Sequence, residues 1–338
     1  MNDVKMKAPP VNMRQIMTQM VSSRCMSVAA ELGIADLVAN APKSIRDLSK
    51  DLNADENALF RLIRVLSVQG IFSINEDRMV SNTPISEFLM EDVPGSQRNF
   101  ARMMGSPWMW KVFNNLEHSV KTGEAAFGEA FMGSENLFEY FRNISPQDGY
   151  VFSQAMSGFS YSFDKPLVDA YDFSDVKHLV DLGGAEGRLL KTVKASYPDV
   201  RATLFELPNV IPRAKASDER GELNYAGGDF FQEIETVADC YTIKYVLHNW
   251  NDESSLKILQ NLRKVIKQDG KLLIMDMLIK EDEQQVFEKS LDIVMLLLLG
   301  AKERTKEEFE NLLSQSNFKI NRIIPTKCPL SIIEVVPV

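Results

Sequence analysis

The sequence predicts an α/β protein in which a mainly helical first half precedes a doubly wound, Rossmann-like parallel sheet. After about Asp175, short β-rich runs alternate with helical patterns, and this alternation is typical of a parallel sheet covered by helices. Before that point, apolar residues recur mostly at helical spacing. We therefore expect a helical domain at residues 1–100, a helical linker and pocket segment at 101–174, and a ligand-binding domain at 175–338.

Composition narrows the class of protein. The net charge of −9 argues against nucleic acid as the main partner, because phosphate binding needs a basic surface. The three cysteines are far apart and form no C-x-x-C pair, so we expect no metal site and no disulfide framework. The N-terminal run MNDVKMKAPPVNM does not resemble a signal peptide, and the apolar run at 293–299 is too short to span a membrane. These features predict a soluble, cytoplasmic protein.

The first helix is expected to present one broad apolar stripe. Its apolar residues recur three or four positions apart: Met13, Ile16, Met17, Met20, Val21, Val28, Ala29 and Leu32. Such a stripe packs either on a partner subunit or on its own domain, and the sequence favours neither.

Residues 44–84 have the outline of a winged helix. A capping pattern from Ser44 to Asp47 starts a short helix, a second helix runs from about Asp55 to Gly70, and residues 71–84 form a hairpin turning near 75–77. Residues 1–100 contain 11 Lys and Arg against 12 Asp and Glu, a net charge of −1. This balance favours a structural use of the motif over DNA reading.

Residues 95–170 are expected to be helical and are dense in Met, Trp and Phe. These side chains suit either a bulky core or an apolar pocket for a flat ligand, and the sequence alone does not decide between them.

The second half contains the predicted strands, which are HLVDL (178–182), ATLFE (202–206), LNYA (223–226), CYTIKYV (240–246), KLLIMDM (271–277), FKINRIIP (318–325) and SIIEVVP (331–337). No helical pattern separates the last two runs. We therefore expect the final strand to insert antiparallel, through a hairpin.

Ligands of such sheets bind at the carboxyl ends of the strands, near the reversal of strand order. The first strand ends in VDLGGAEG, a glycine turn that indicates a nucleotide-like ligand or simply a tight turn into a helix. Its G-G-x-x-G spacing differs from the G-x-G-x-x-G dinucleotide pattern. Glu206, which ends the second strand, is placed to accept both ribose hydroxyls of an adenosine. Asp229, beside two phenylalanines, either binds an adenine amino group or caps a loop.

The fourth strand leads to His248, the fifth closes on Asp276, and Glu303 precedes a predicted capping box at Thr305. His248 is either a catalytic base or an ordinary residue where a strand meets a helix. Asp252 and Glu253 are interpreted as first-turn acids that suit the helix dipole.

As an ordered series, the runs LVDLGGAEG, LFELPNVI, GGDFF, KYVLHNWNDE and GAKERTKEEFENLL resemble the S-adenosylmethionine-dependent small-molecule O-methyltransferases of the caffeate and hydroxyindole type. The resemblance implies that residues 1–100 are a dimerisation domain, that the chain is a homodimer, and that S-adenosylmethionine is the cofactor. It implies a small hydroxylated aromatic acceptor, with neither nucleic acid nor membrane as partner.

The resemblance also implies a role for each matching residue. His248 matches the catalytic base, flanked by the acids Glu303 and Asp276. The positions matching cofactor contacts are Gly183, Glu206, Asp229, Phe230, Lys244, Ser160 and Trp250. The positions matching the substrate wall are Phe152, Met156, Phe159, Met104 and Met295.

This sequence departs from the family pattern at Ala185, where a third glycine is usual. It also has Glu206 where the family usually has Asp, and Asp276 where Glu is common. Two alternative functions stay open: an enzyme of the same fold with non-methylating chemistry, such as decarboxylation or hydroxylation, and a winged-helix regulator that senses a metabolite. The intact set of base and acids favours methyl transfer. The sequence does not identify the acceptor.

Overall fold

A computed structural model describes residues 11–132, 134, 136–281 and 283–338, so most of the N-terminal run MNDVKMKAPPVNM lies outside the described residues. The chain forms two compact units, one of residues 1–111 with 140–160, the other of residues 112–139 with 161–338. The division predicted at residues 100 and 174 concerns functional parts and stays a prediction.

The described helices are α1 (Val11–Glu31), α2 (Ile34–Leu37), α3 (Ile45–Asp51), α4 (Glu56–Val68), α5 (Arg98–Met104), α6 (Pro107–Phe113), α7 (Leu116–Thr122), α8 (Ala126–Ala130), α9 (Leu137–Asn143), α10 (Pro146–Ala170), α11 (Arg188–Ser196), α12 (Ile211–Ala216), α13 (Asp252–Val265), α14 (Val286–Leu299) and α15 (Lys306–Ser314), with 3-10 turns at Ser86–Leu89 and Leu247–Asn249. The described strands are β1 (Lys43–Ser44), β2 (Phe72–Ile74), β3 (Met79–Asn82), β4 (His178–Leu182), β5 (Arg201–Glu206), β6 (Asn224–Gly227), β7 (Cys240–Lys244), β8 (Lys271–Ile279), β9 (Arg304–Thr305), β10 (Phe318–Pro325) and β11 (Leu330–Pro337). Within the described part of the chain, every helix is too short or too polar to cross a membrane.

The first unit contains the predicted helix, turn, helix and hairpin. Ser44 caps α3 by accepting the Asp47 N–H at 3.1 Å, and Asp55 caps α4 by accepting the Ala58 N–H at 2.8 Å. The strands β1, β3 and β2 form a small antiparallel sheet in that order. One apolar face of α4 is buried with the hairpin and the C-terminal half of α1, as the periodicity predicts.

The apolar stripe of α1 divides into two parts. Ala29 and Ala30 are buried in the core of the first unit. The five apolar side chains nearer the N-terminus are 52–67% exposed: Met13, Ile16, Met17, Met20 and Val21. Docking on the same domain therefore accounts only for the C-terminal half of the stripe.

The second unit is built on a sheet of strand order β10-β11-β8-β7-β4-β5-β6. Strands β4 to β8 are parallel to their neighbours, whereas β11 is antiparallel to both β8 and β10. This confirms the predicted doubly wound sheet with a final antiparallel hairpin. The chain fills one side from β4 to β6 and then returns to the other side with β7, so the strand order reverses between β4 and β7. Ligand sites are found at such reversals.

Two predicted strand ends are wrong: β7 ends at Lys244, two residues before the predicted Val246, and β8 ends later than predicted. The sequence places Asp276 at the end of the fifth strand, but β8 continues to Ile279 and Asp276 lies inside it. The continuation is buried and apolar, and its last two residues, Leu278 and Ile279, pair with Arg304 and Thr305 of β9.

Candidate functional site

Two turns meet at the strand-order reversal, because β4 and β7 are neighbouring parallel strands whose carboxyl ends share one edge of the sheet. The turn after β4 contains the glycine run, and the turn after β7 contains His248. The fold therefore brings together, at one edge, two motifs that the sequence suggests separately.

The glycine turn has a backbone that leaves no room for side chains. Gly183 has φ +74°, and a Cβ added there would lie 3.1 Å from Val246 Cγ2 and 3.3 Å from Phe230 Cε1. At Gly184, an added Cβ would lie 2.1 Å from the Asp181 carboxylate. Ala185 also has a positive φ, 52°, although it is not a glycine. The turn is therefore strained where the family pattern has its third glycine.

Glu206 ends β5 with its carboxylate fixed by backbone donors. The Ala185 N–H donates to Oε2 at 3.0 Å, and the Leu207 N–H donates to Oε1 at 2.8 Å. The carboxylate therefore lies directly beside the glycine turn. Each oxygen still has lone pairs for further donors, such as a diol.

Asp229, Phe230 and Phe231 follow β6, and Trp250, which follows the 3-10 turn after β7, packs beside them. The Phe231 N–H donates to Asp229 Oδ1 at 2.8 Å, while the Asn261 side chain holds the Phe230 carbonyl at 3.0 Å. The ring of Phe231 meets those of Phe230 and Trp250 edge to face, at centroid distances of 5.0 and 4.7 Å. A half-buried carboxylate beside half-buried aromatic rings suits a flat heterocycle that carries an amino group.

Lys244, the last residue of β7, forms an ion pair with Asp164 of α10. The Asp164 side chain is nearly buried and also lies 3.6 Å from the Arg188 guanidinium. The lysine predicted to contact the cofactor therefore already has a carboxylate partner, and this pair ties the end of α10 to the sheet.

His248 lies in the 3-10 turn after β7 and is buried beside Glu303. The imidazole Nδ1 and Glu303 Oε1 are 2.7 Å apart, and the Glu303 side chain is fully buried. A carboxylate only accepts hydrogen bonds when ionised, so Nδ1 carries the proton and Nε2 is left as the basic atom. This is the arrangement of a base and its orienting acid.

Two further contacts fix the acids. The Glu303 N–H donates to Asp292 of α14 at 2.8 Å. Asp276 Oδ1 accepts the Tyr245 N–H at 3.1 Å, whereas its Oδ2 is buried without a hydrogen-bond partner among the described residues. The ring of Tyr245 packs on the imidazole of His248 at a centroid distance of 4.8 Å.

The charges of this cluster act on one another. Burial alone lowers the pKa of His248, but the hydrogen bond and charge of Glu303 outweigh it and raise that pKa above its ordinary value. Burial, opposed by His248 and reinforced by Glu303, raises the pKa of Asp276 to about 7. Burial and the same two carboxylates keep the Tyr245 phenol protonated by raising its pKa. Perturbed groups gathered at one edge are typical of an active site.

The remaining predicted residues divide between the units. Ser160 and the predicted wall residues Met104, Phe152, Met156 and Phe159 belong to the first unit, whereas the base and its acids belong to the second. In the first unit Phe159 stacks on Phe100 at 5.2 Å, and Phe152 packs on Phe141 at 5.0 Å. Met295 is buried on α14, which packs against the 3-10 turn of His248. Their contacts with a ligand stay predictions.

Sequence reasoning missed some contributors to this site. Asp164, Tyr245, Asp292 and Arg304 gave no signal of their own, since a single charged or aromatic residue on a helix or strand end is common. Asp252, interpreted as a helix-dipole acid, does lie in the first turn of α13 but also pairs with Arg304 at 2.8 Å. Only the run KERT, with Glu303 and Arg304 adjacent, could have suggested that both side chains turn inward.

Comparisons with known proteins cover nearly the whole chain. Residues 113–319 match the family model of the O-methyltransferase domain, and residues 14–92 match that of the O-methyltransferase dimerisation domain. A phenazine O-methyltransferase from Lysobacter antibioticus is 37% identical, with 98% of each chain covered. The mitomycin biosynthesis 6-O-methyltransferase of Streptomyces lavendulae is 33% identical, covering 93% of this chain and 90% of the relative.

A solved structure extends the likeness to three dimensions. The calicheamicin biosynthesis methyltransferase CalO1, in its form bound to S-adenosylhomocysteine, superposes with a TM-score of 0.88 at 27% identity. The alignment covers 97% of this chain and 98% of that one.

Proposed function

Because this chain belongs to the family of S-adenosylmethionine-dependent O-methyltransferases, we propose that it methylates a hydroxyl group of a small aromatic molecule, with His248 as the general base. The observation that supports this most directly is the buried pair of His248 and Glu303, 2.7 Å apart, at the end of β7. This pair adjoins the glycine turn at the strand-order reversal, where the family places its cofactor.

The proposed chemistry needs alignment and one proton acceptor. Bound S-adenosylmethionine supplies an electrophilic methyl group. His248 Nε2 removes the acceptor's hydroxyl proton, and Glu303 stabilises the imidazolium that results. Asp276 adds negative charge near the base when it is ionised. A base placed in this way typically contributes about 10²–10⁴-fold to the rate.

The residues at the reversal fit the cofactor. A Cβ at Gly183 would lie within 3.3 Å of Val246 Cγ2 and Phe230 Cε1, so a glycine there lets the turn pass close to Phe230, one of the proposed adenine contacts. Glu206 would accept the ribose hydroxyls, and Asp229 with Phe230 and Trp250 would hold the adenine. Lys244 and Ser160 complete the proposed cofactor contacts, Lys244 with its charge already balanced by Asp164.

The acceptor is proposed to be a hydroxylated aromatic compound of secondary metabolism. The named relatives act in phenazine and mitomycin chemistry, and the Met- and Phe-rich segments of α5, α10 and α14 suit a flat apolar ring. The proposed wall residues are Met104, Phe152, Met156, Phe159 and Met295.

The test is a labelled-methyl screen against a library of hydroxy-aromatic compounds, followed by variants of the base. His248→Asn should nearly abolish transfer while cofactor affinity, measured by titration calorimetry, stays within about two-fold of wild type. His178→Asn is the matched control, because His178 begins β4 at the opposite edge of the sheet and pairs with Thr203. Transfer that survives His248→Asn would refute the base. A product without the added methyl mass would favour the non-methylating alternative.

The proposal extends to assembly and location. The exposed apolar half of α1 lies within the segment that matches the dimerisation domain, so we propose a homodimer formed through this N-terminal domain, in which the winged helix is structural and does not read DNA. Met17→Glu, on that exposed half, should shift the light-scattering mass towards the monomer, and an unchanged mass would contradict this interface. We place the enzyme in the cytoplasm, on the composition alone.

A further inference from the structure

Arg304, the residue after Glu303, has the largest fully buried side chain in the described part of the molecule. Its guanidinium has no solvent exposure, and its ion-pair partner Asp252 is 58% exposed. Burying an arginine is costly unless its donors are satisfied. The contacts that satisfy it therefore indicate what the residue does.

Those contacts converge on the turn that holds the base. Nη1 donates to the Leu247 carbonyl at 2.9 Å, and Nη2 donates to the Trp250 carbonyl at 2.9 Å. Leu247 precedes His248, and Trp250 follows the end of the same 3-10 turn. The guanidinium also donates to the Asp252 carboxylate at 2.8–3.0 Å and to the Ser255 hydroxyl at 3.1 Å.

Two successive residues thus contact the base and its turn. Glu303 hydrogen-bonds to the imidazole of His248, and Arg304 hydrogen-bonds to the backbone carbonyls before and after His248. We propose, on the basis of the function proposed above, that Arg304 is a positioning residue of the methyl transfer, which clamps the 3-10 turn so that His248 stays in hydrogen-bonding register with Glu303. A lysine keeps the charge but cannot supply donors to both carbonyls in the fixed geometry of the planar fork.

Arg304 also acts through its charge. The acids Glu303, from the segment before β9, and Asp276, from β8, raise the pKa of His248, and the guanidinium opposes them. The other titratable groups around the turn are the Tyr245 phenol after β7, the Cys328 thiol, Glu288 and Asp292 on α14, Asp252 and Glu253 at the start of α13, and Lys302 beside Asp252. The guanidinium of Arg304 hydrogen-bonds to the turn. Its positive charge lowers the pKa of His248, so removing that charge removes an effect that opposes the acids.

The experiment uses the full chain saturated with S-adenosylhomocysteine and follows the imidazole signals by NMR from pH 5 to 9. The chain has only three histidines, and His248→Asn identifies the signal of the base. Arg304→Gln loses the clamp and the charge together, whereas Arg304→Lys loses the clamp alone, so the His248 midpoint should lie about half a pH unit or more higher in Arg304→Gln than in Arg304→Lys. Asp252→Asn keeps Arg304 but removes the carboxylate that partly neutralises its charge. The midpoint of the His248 titration should therefore move to lower pH.

Turnover, with the acceptor found in the labelled-methyl screen, is the second measurement. Arg304→Gln should lower kcat by about 10²-fold, as expected when a base is displaced by about 1 Å. Arg304→Lys should lower the His248 midpoint, because the charge stays while the contact with Glu303 that raises the pKa weakens, and it should also lose turnover. The matched control is Lys302→Met, which removes a cation 3.1 Å from the same Asp252 carboxylate, without a hydrogen bond to the turn among the described residues. It should leave kcat unchanged, because the hydrogen bonds that hold the turn stay in place.

A wild-type midpoint and normal kcat in Arg304→Gln would overturn the proposal. If that variant does not fold, as judged by circular dichroism, Asp252→Asn decides, and an unmoved midpoint there refutes the charge coupling. Midpoints that shift as described in a protein that methylates no hydroxylated acceptor would support the clamp and refute the proposed function. The two failures can therefore be told apart.

Discussion

Replacing the buried carboxylate of Asp276 by an amide should stabilise the protein in a pH-dependent way. In the folded state the pKa of Asp276 is raised from its ordinary 3.8 to about 7, mainly by burial. Below pH 4 the carboxyl is protonated in both folded and unfolded chains and contributes no difference. Between pH 4 and 7 the unfolded chain releases this proton while the folded chain keeps it, so stability falls as pH rises. An asparagine side chain does not titrate in this range, so the Asp276→Asn variant escapes this loss.

The magnitude follows from the size of the shift. About three pH units at roughly 1.4 kcal/mol each give a difference on the order of 4 kcal/mol above pH 7, and close to zero below pH 4. The amide keeps an oxygen for the Tyr245 N–H, and its NH₂ group takes the place of Oδ2, which has no hydrogen-bond partner among the described residues. Shape and volume are almost unchanged, so packing contributes little to the difference.

The assay is urea unfolding of wild type and Asp276→Asn, followed by tryptophan fluorescence, at pH 4.5, 6 and 8. The stabilisation of the variant should grow with each step in pH, and methyl transfer should fall because the negative charge beside His248 is gone. Asp175→Asn, a substitution at an exposed carboxyl, is the control and should stay within about 0.5 kcal/mol at every pH. A stability difference that is the same at all three pH values would refute the reasoning.

Three more substitutions test other parts of the site. Glu303→Gln removes the carboxylate that raises the pKa of His248, so the acid limb of kcat/KM should move to lower pH and turnover should fall by up to about 10⁴-fold; an unmoved limb would show that Glu303 does not act on the base. Glu206→Ala should weaken cofactor binding in titration calorimetry while leaving the His248 titration unchanged, and an unaltered affinity would remove Glu206 from the ribose. Ala185→Gly relieves a positive φ that costs an L-residue about 1–2 kcal/mol, partly offset by the greater freedom of glycine in the unfolded chain; the unfolding free energy should rise by up to about 1 kcal/mol, and a clear decrease would contradict the assignment of strain.

The fold could be predicted from the sequence largely because parallel strands buried on both faces read as short apolar runs. HLVDL coincides to the residue with β4, a parallel strand of this kind, and FKINRIIP coincides to the residue with the antiparallel, partly exposed strand β10. The end of β8 could not be predicted in this way, because a charged residue such as Asp276 ordinarily marks the end of an apolar run. Pairing with β9, a partner of only two residues, extends β8 past that carboxylate, and so short a strand leaves no periodic pattern to detect.

The site was predictable where residues follow strand ends. Glu206 ends β5 and His248 follows β7, whereas Glu303 precedes β9 and was found from its place before a capping box; the structure places His248 against Glu303 across 55 positions of sequence. Arg304 and Asp164 could not be found in the same way, because charged residues are usually exposed and only tertiary packing turns these two inward. The role of Lys244 was assigned without its partner for the same reason: an ion pair spanning 80 positions has no local sequence signature.

The division of residues between the two units bears on how such an enzyme can diversify. The proposed base and acids are on strands and short turns of the second unit, whereas four of the five proposed wall residues are on helices of the first. On these proposed roles, substitutions on those helices are expected to alter which ring is accepted without changing the groups proposed to remove the proton. Mutations on these helices are therefore expected to change the accepted ring while the reaction stays the same. Directed evolution of a new specificity should begin on α5 and α10.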